Sequence, residues 1–244
     1  MAKLPTDPQL MERTVVDLAA AAFKNARSLH TSAQALLDVQ QWPSAFAFAE
    51  LALEEIGKAA LCTMMLAMPP AGREAFRPDF ERACSHHQTK AELAHLILGM
   101  VADPVPASLQ QLLDDVAAEA HRTNAVKFRG LYTDYTDTGA LLLPDDTVSE
   151  SEARWMVTTV TTALDQSSST EAAVADDPDA YLDLVRQWQN DVDLDALSAD
   201  VTNNPDQFLT QMRAFIRDDV PPPTHMLGTR LSARLTEADA PTKS

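Results

Sequence analysis

At 244 residues the chain is long enough for one large core with an appendage, and at a formal charge of −17 it is too acidic for broad duplex binding, which relies on clustered Lys and Arg neutralising phosphates. The charge is uneven: residues 1–130 carry 15 acids against 12 bases, 131–220 carry 19 against 4, and 221–244 carry 2 against 3, so any RNA contact must be local. Cys62 and Cys84 have no CxxC spacing and read as small core residues rather than a disulfide or zinc pair. With only six glycines and no alternating β-branched runs between hairpin turns, the chain reads as all-α.

The lead MAKLPTDPQL lacks the continuous apolar stretch of a secretory signal, which points to the cytoplasm. Asp7-Pro8 supplies an N-cap followed by proline at the first helical position. Leu10, Val15, Val16, Leu18, Ala21, Ala22 and Phe23 then form the core face of a helical region reaching about Gln40, with a break expected near His30 and a restart at Thr31 or Ser32. Trp42 to Met68 reads as one long helix, with Pro43 in its first turn and Pro69-Pro70 just past its end. Its apolar residues cover nearly the full circumference, the pattern of a central bundle helix. Glu54, Glu55 and Lys58 interrupt its most apolar part, Leu51 to Met68, which excludes an ordinary membrane span.

Those charges are the informative feature. Glu50, Glu54 and Lys58 fall at i, i+4 and i+8 on one stripe, Glu55 lies about 100° round from Glu54, and Gly57 permits close approach of another backbone or side chain. As a solvated i to i+4 pair, Glu54 and Lys58 would contribute only a few tenths of a kcal/mol. Inside a bundle, an unpaired carboxylate costs several kcal/mol, so the buried reading requires donors. The candidates are His86, His87, Lys90, Arg122 and Arg129.

A third helical region spans Arg73 to Val101, its regular part starting at Pro78 and ending before ADPVP. In it Arg82, His86 and Lys90 share an i, i+4, i+8 stripe that can oppose the Glu50–Glu54–Lys58 stripe across an antiparallel pair, with His87 on the adjacent face; the competing reading is an exposed basic face. A fourth helix runs from about Ala107 to Arg129, with Leu109, Leu112, Leu113, Val116 and Ala120 on one face and Gly130 as its stop. The loop Leu131–Pro144 carries Tyr132, Asp134 and Tyr135. A fifth helix follows from Ser149, with Glu152 at capping-box spacing, to about Ala175. From Asp176 the composition turns acidic, giving two amphipathic helices to about residue 220 and a partly disordered tail over 221–244.

EEIGK at Glu54–Lys58, HQTK at His87–Lys90 and GLYTD at Gly130–Asp134 occur in an order and spacing that resembles the AbiV-type abortive-infection proteins, an all-α group of the HEPN superfamily. The resemblance covers roughly residues 7 to 175, which makes 1–176 a HEPN-like bundle, 177–220 a smaller acidic helical extension and 221–244 the tail. It implies a cytoplasmic, homodimeric bacterial antiphage protein. It further implies a metal-independent, cofactor-free endoribonuclease of the kind that uses an Arg, four to six residues, then a His. Arg82 and His87 satisfy that spacing, with Ala83 where a polar residue is common. On this reading His87 is the general acid or base, with His86 its alternative on Arg82's stripe; Arg82 stabilises the phosphorane and Lys90 contacts an RNA phosphate.

The alternative is a non-catalytic defence protein that binds a phage or host protein, in which Glu54, Glu55, Lys58, His87 and Lys90 form a buried network that fixes helix register, with Glu50, Arg122, Arg129, Tyr132 and Asp134 as further members of the polar motif. A di-metal oxidase would need Glu-x-x-His on two helices, which Glu54, Glu55 and Glu119-Ala-His121 do not provide.

Overall fold

The computed structural model describes residues 3–101 and 106–218. The expected tail, 221–244, lies outside the described residues. Among the described residues ten α-helices follow in order: α1 Pro8–Asp38, α2 Trp42–Ala67, α3 Pro70–Ser85, α4 His87–Val101, α5 Leu109–Leu131, α6 Glu150–Gln166, α7 Ser168–Asp176, α8 Pro178–Asp191, α9 Leu194–Asn203 and α10 Pro205–Asp218. The loop after α5 holds a two-residue antiparallel ladder, β1 Asp134–Tyr135 with β2 Leu141–Leu142, the sole strand pairing among the described residues. None of the described helices is long and apolar enough to cross a membrane.

Helix α2 is the axis of the bundle. It packs on α1, α4, α5 and α6, and its Ala45, Phe46, Ala49, Ala52, Leu53, Ile56, Ala59, Cys62 and Met65 are all buried. Five alanines and a glycine among its buried positions let the neighbouring backbones come close, so the core is made by helix proximity as much as by large side chains. Both cysteines are free and buried, and burial pushes the Cys84 thiol up to about 11.

Several boundaries differ from the sequence expectations. Helix α1 runs unbroken through His30, because that side chain is buried and its Nε2 lies 3.0 Å from Thr161 Oγ1 on α6 instead of ending the helix. Asp7 caps α1 as expected, accepting from the Leu10 N–H at 2.8 Å. Helix α3 starts at Pro70, eight residues before the expected Pro78, which sits inside it. The start is anchored by Arg73, whose Nε donates to the Met68 carbonyl at 2.7 Å and whose guanidinium pairs with Glu12 of α1. The fifth helical region divides at Ser167 into α6 and α7, while its start carries the full Ser149–Glu152 capping box.

The most consequential difference is at His86. The expected continuous helix to Val101 is interrupted there by extended backbone (φ −95°, ψ 113°). His86 serves as the N-cap of α4, its Nδ1 accepting from the Thr89 N–H at 3.3 Å and lying 3.0 Å from Thr89 Oγ1. The break divides the Arg82–His86–Lys90 stripe and lets α4 lie along α2 in its own direction. Helix α8 joins the main core through Leu182, Tyr181 and Val185, and its Gln189 donates to the carbonyls of Leu66 and Met68 at the end of α2.

Candidate functional site

Where α4 crosses α2, an added Cβ on Gly57 would stand 1.7 Å from the carbonyl oxygen of Lys90. Only glycine admits that approach. The close crossing places the first turns of α4 directly over Glu54, and α5 closes the other side, its last turn seated on the start of α2: a Cβ on Gly130 would be 3.0 Å from the Pro43 carbonyl oxygen.

Glu54 is 1% exposed, and three cation-forming groups converge on it. Lys127 of α5 donates to Oε1. Oε2 meets His87 Nδ1 at 2.6 Å and Lys90 Nζ at 3.1 Å. Burial alone would raise the Glu54 pKa, but hydrogen bonds from Lys127 and His87 and the charges of Lys127 and Lys90 outweigh it and hold the carboxyl below its ordinary value. Lys90 and Lys127 are themselves buried, whereas the His87 side chain is 51% exposed. An ionised carboxylate accepts the proton of Nδ1, so the neutral imidazole keeps it there and leaves Nε2 as the basic nitrogen.

Other expected members lie elsewhere. Lys58 pairs with Glu55 at 2.5 Å rather than with Glu54. Arg82 is exposed and its ion pair is with Asp79 at 3.2 Å, so within one chain it is not joined to His87. Arg122 pairs with Glu119 at 2.6 Å and lies over the Trp155 ring at 4.7 Å, away from Glu54. Arg129 is exposed, and its backbone carbonyl accepts from Thr147 Oγ1 at 3.2 Å. Tyr132 is exposed and stacks on Phe128, while Asp134 turns back to accept from the Tyr135 N–H at 2.8 Å. Among the described residues no group of three His, Cys, Asp or Glu side chains could hold a metal ion.

Sequence reasoning missed Lys127 and Thr123. A signal for both existed, because they continue the buried stripe Leu112, Val116, Ala120 of α5 at helical spacing. A lysine on an apolar stripe, facing a helix with surplus carboxylates, is a buried counter-ion.

The family model described as AbiV (HEPN_AbiV) matches residues 14–165. The chain belongs to the AbiV family. No curated protein and no solved structure matches the chain. Family membership places the protein with abortive-infection, antiphage-defence proteins and agrees with the all-α bundle. The matched span includes the whole Glu54 cluster and ends at the close of α6. In this AbiV protein the three sequence landmarks are therefore pieces of one packing arrangement: Glu54 and Gly57 from α2, His87 and Lys90 from α4, and Gly130 at the end of α5.

Glu50, one turn before Glu54, is treated differently by its surroundings. Its Oε1 accepts from Thr123 Oγ1 at 3.0 Å, but its buried Oε2 has no hydrogen-bond partner among the described residues. Burial, together with the charge of Glu54, outweighs the Thr123 hydrogen bond and Lys127, and the carboxyl is pushed up to about 7. A folded-state pKa above the unfolded one means the native chain binds the extra proton between about pH 4.5 and 7, so stability falls as pH rises through that window. Glu50→Gln should leave stability near pH 4 almost unchanged and raise it at pH 8 by up to about 3 kcal/mol. Thermal melts of the two proteins at both pH values check this.

Proposed function

We propose that this protein acts in abortive infection as a metal-independent endoribonuclease whose acid–base group is His87. One observation carries the reading: an imidazole anchored through Nδ1 to a buried carboxylate at 2.6 Å, yet half exposed to solvent. That is the arrangement by which a protein fixes tautomer and orientation and presents Nε2 outward for proton transfer. In the reaction, the ribose 2′-oxygen attacks the adjacent phosphorus as Nε2 takes its proton. The bond to the 5′-oxygen breaks, and that oxygen leaves with a proton, giving a 2′,3′-cyclic phosphate and a 5′-hydroxyl. Glu54 does not touch the RNA; it positions His87 and stabilises the imidazolium that forms.

A single imidazole supplies one of the two proton transfers. The reading therefore includes a homodimer in which the second His87, and the exposed Arg82 to stabilise charge on the phosphorane, come from the other copy. His86 serves as a helix cap and Lys90 points inward to Glu54, so neither is assigned to RNA.

The non-catalytic reading has its own observation: Lys90 and Lys127 are buried around Glu54, as expected of a network that sets helix register. The two are separated by incubating purified protein with RNA in excess EDTA. Cleavage should leave cyclic-phosphate ends, and His87→Ala should lower it at least about 100-fold. Its melting temperature should shift little, since Glu54 keeps Lys90 and Lys127. If the wild-type protein shows no cleavage, and the His87→Ala variant protects cells from phage as well as wild type does, the chain is the interaction protein instead.

A further inference from the structure

Beside His87 lies a row of rings that the cleavage chemistry does not use. The Phe128 ring meets the His87 imidazole edge-on, with centroids 6.5 Å apart and planes at 84°, and Tyr132 lies nearly parallel to Phe128 at 6.2 Å and 21°. Phe128 is 43% exposed and Tyr132 61%. Large aromatic rings left this open cost solvation without contributing to the core. Nor is the row loose, for the buried Lys127 ammonium lies 4.9 Å from the Phe128 centroid and so ties the ring to the Glu54 cluster.

We propose that Phe128 and Tyr132 form a stacking platform for an unpaired RNA base next to the phosphodiester bond that is cleaved at His87, which makes a single-stranded segment the substrate. The proposal rests on the cleavage reading above and adds its specificity determinant. A nucleobase offers a flat face of the size of these rings, and stacking requires that the face be out of a duplex. The platform is continuous with the imidazole, so a base on Tyr132 and Phe128 sets the adjoining backbone over Nε2. Arg129, three residues before Tyr132, and Arg82, five residues before His87, are both exposed cations, Arg82 beside Asp79. The nearest acids in sequence are Asp134 and Asp137 of the hairpin, and Glu152 also lies within electrostatic reach of Arg129.

The test uses the full chain and fluorescently labelled RNA of one sequence, single-stranded or annealed to its complement, in EDTA. Binding is measured with the His87→Ala protein and cleavage with His87 intact. Tyr132→Ala should weaken single-strand binding and raise KM roughly 5- to 150-fold, with kcat changed far less, while Tyr132→Phe and Tyr132→Trp keep the wild-type values. Single-strand cleavage that is indifferent to Tyr132→Ala, or equal cutting of the duplex, overturns the platform and leaves the cleavage reading standing. Tyr132-dependent binding without any cleavage keeps the platform and removes the nuclease. A protein that neither binds nor cuts either RNA removes both.

Discussion

Gly57→Ala should destabilise the protein by at least about 3 kcal/mol, beyond the usual range for adding a methyl group to a packed core. In the interior of an exposed helix the same change is stabilising by up to about 1 kcal/mol, because alanine loses less backbone entropy than glycine. Here the added Cβ meets the backbone carbonyl of Lys90 at 1.7 Å, and a backbone atom cannot rotate away as a side chain can. Helix α4 must lift from α2, and with it His87 and Lys90 leave Glu54. Gly72→Ala is the control, since a Cβ there meets its nearest atom, Pro69 Cδ, at 3.4 Å. Urea denaturation should show the control neutral or slightly stabilised and Gly57→Ala strongly destabilised; on the proposed cleavage reading, RNA cutting is lost in Gly57→Ala alone. A Gly57→Ala protein as stable as wild type would mean that α4 does not lie against α2 in this way.

The same crossing shows what the sequence could and could not convey. The all-α class and the central position of Trp42–Ala67 were legible because a long run without turn signals, apolar on nearly every side, has nowhere to go but the middle of a bundle. Burial of Glu54 followed from that, and His87 and Lys90 were among its candidate partners for the same reason. The break at His86 was not legible, since HHQTK continues the helical spacing and the interruption comes from a side chain capping the next helix together with the docking of α4. Arg82 shows the consequence: four residues from His86 in a regular helix, it would have shared a stripe with it, but across the break it faces solvent and Asp79. Lys127 was overlooked because a lysine near a helix C-terminus is ordinarily a solvated charge complementing the helix dipole, and only its register with Leu112 and Val116 distinguishes it.

Removing Glu54 itself should cost about 3–5 kcal/mol at pH 7, because it strands charges in the interior rather than merely deleting a contact. Glu54→Gln leaves Lys90 and Lys127 buried without a carboxylate between them. Lys127→Met should cost less, since Glu54 keeps Lys90 and His87. In the double variant the stranded Lys127 is gone, so the combined loss should be smaller than the sum of the single losses by more than about 1 kcal/mol, the signature of direct coupling in a double-mutant cycle. The pH dependence has a definite sign. The folded-state pKa of Glu54 is lowered, so its contribution is complete above the unfolded value of about 4.5 and disappears as pH falls through the folded value. The penalty for Glu54→Gln should accordingly be full at pH 7 and shrink in acid, opposite in direction to the effect of Glu50→Gln. Urea midpoints for the four proteins at pH 7 and pH 4 measure both effects. A penalty independent of pH and additive with that of Lys127→Met would show that Glu54 acts through its volume and not through its charge.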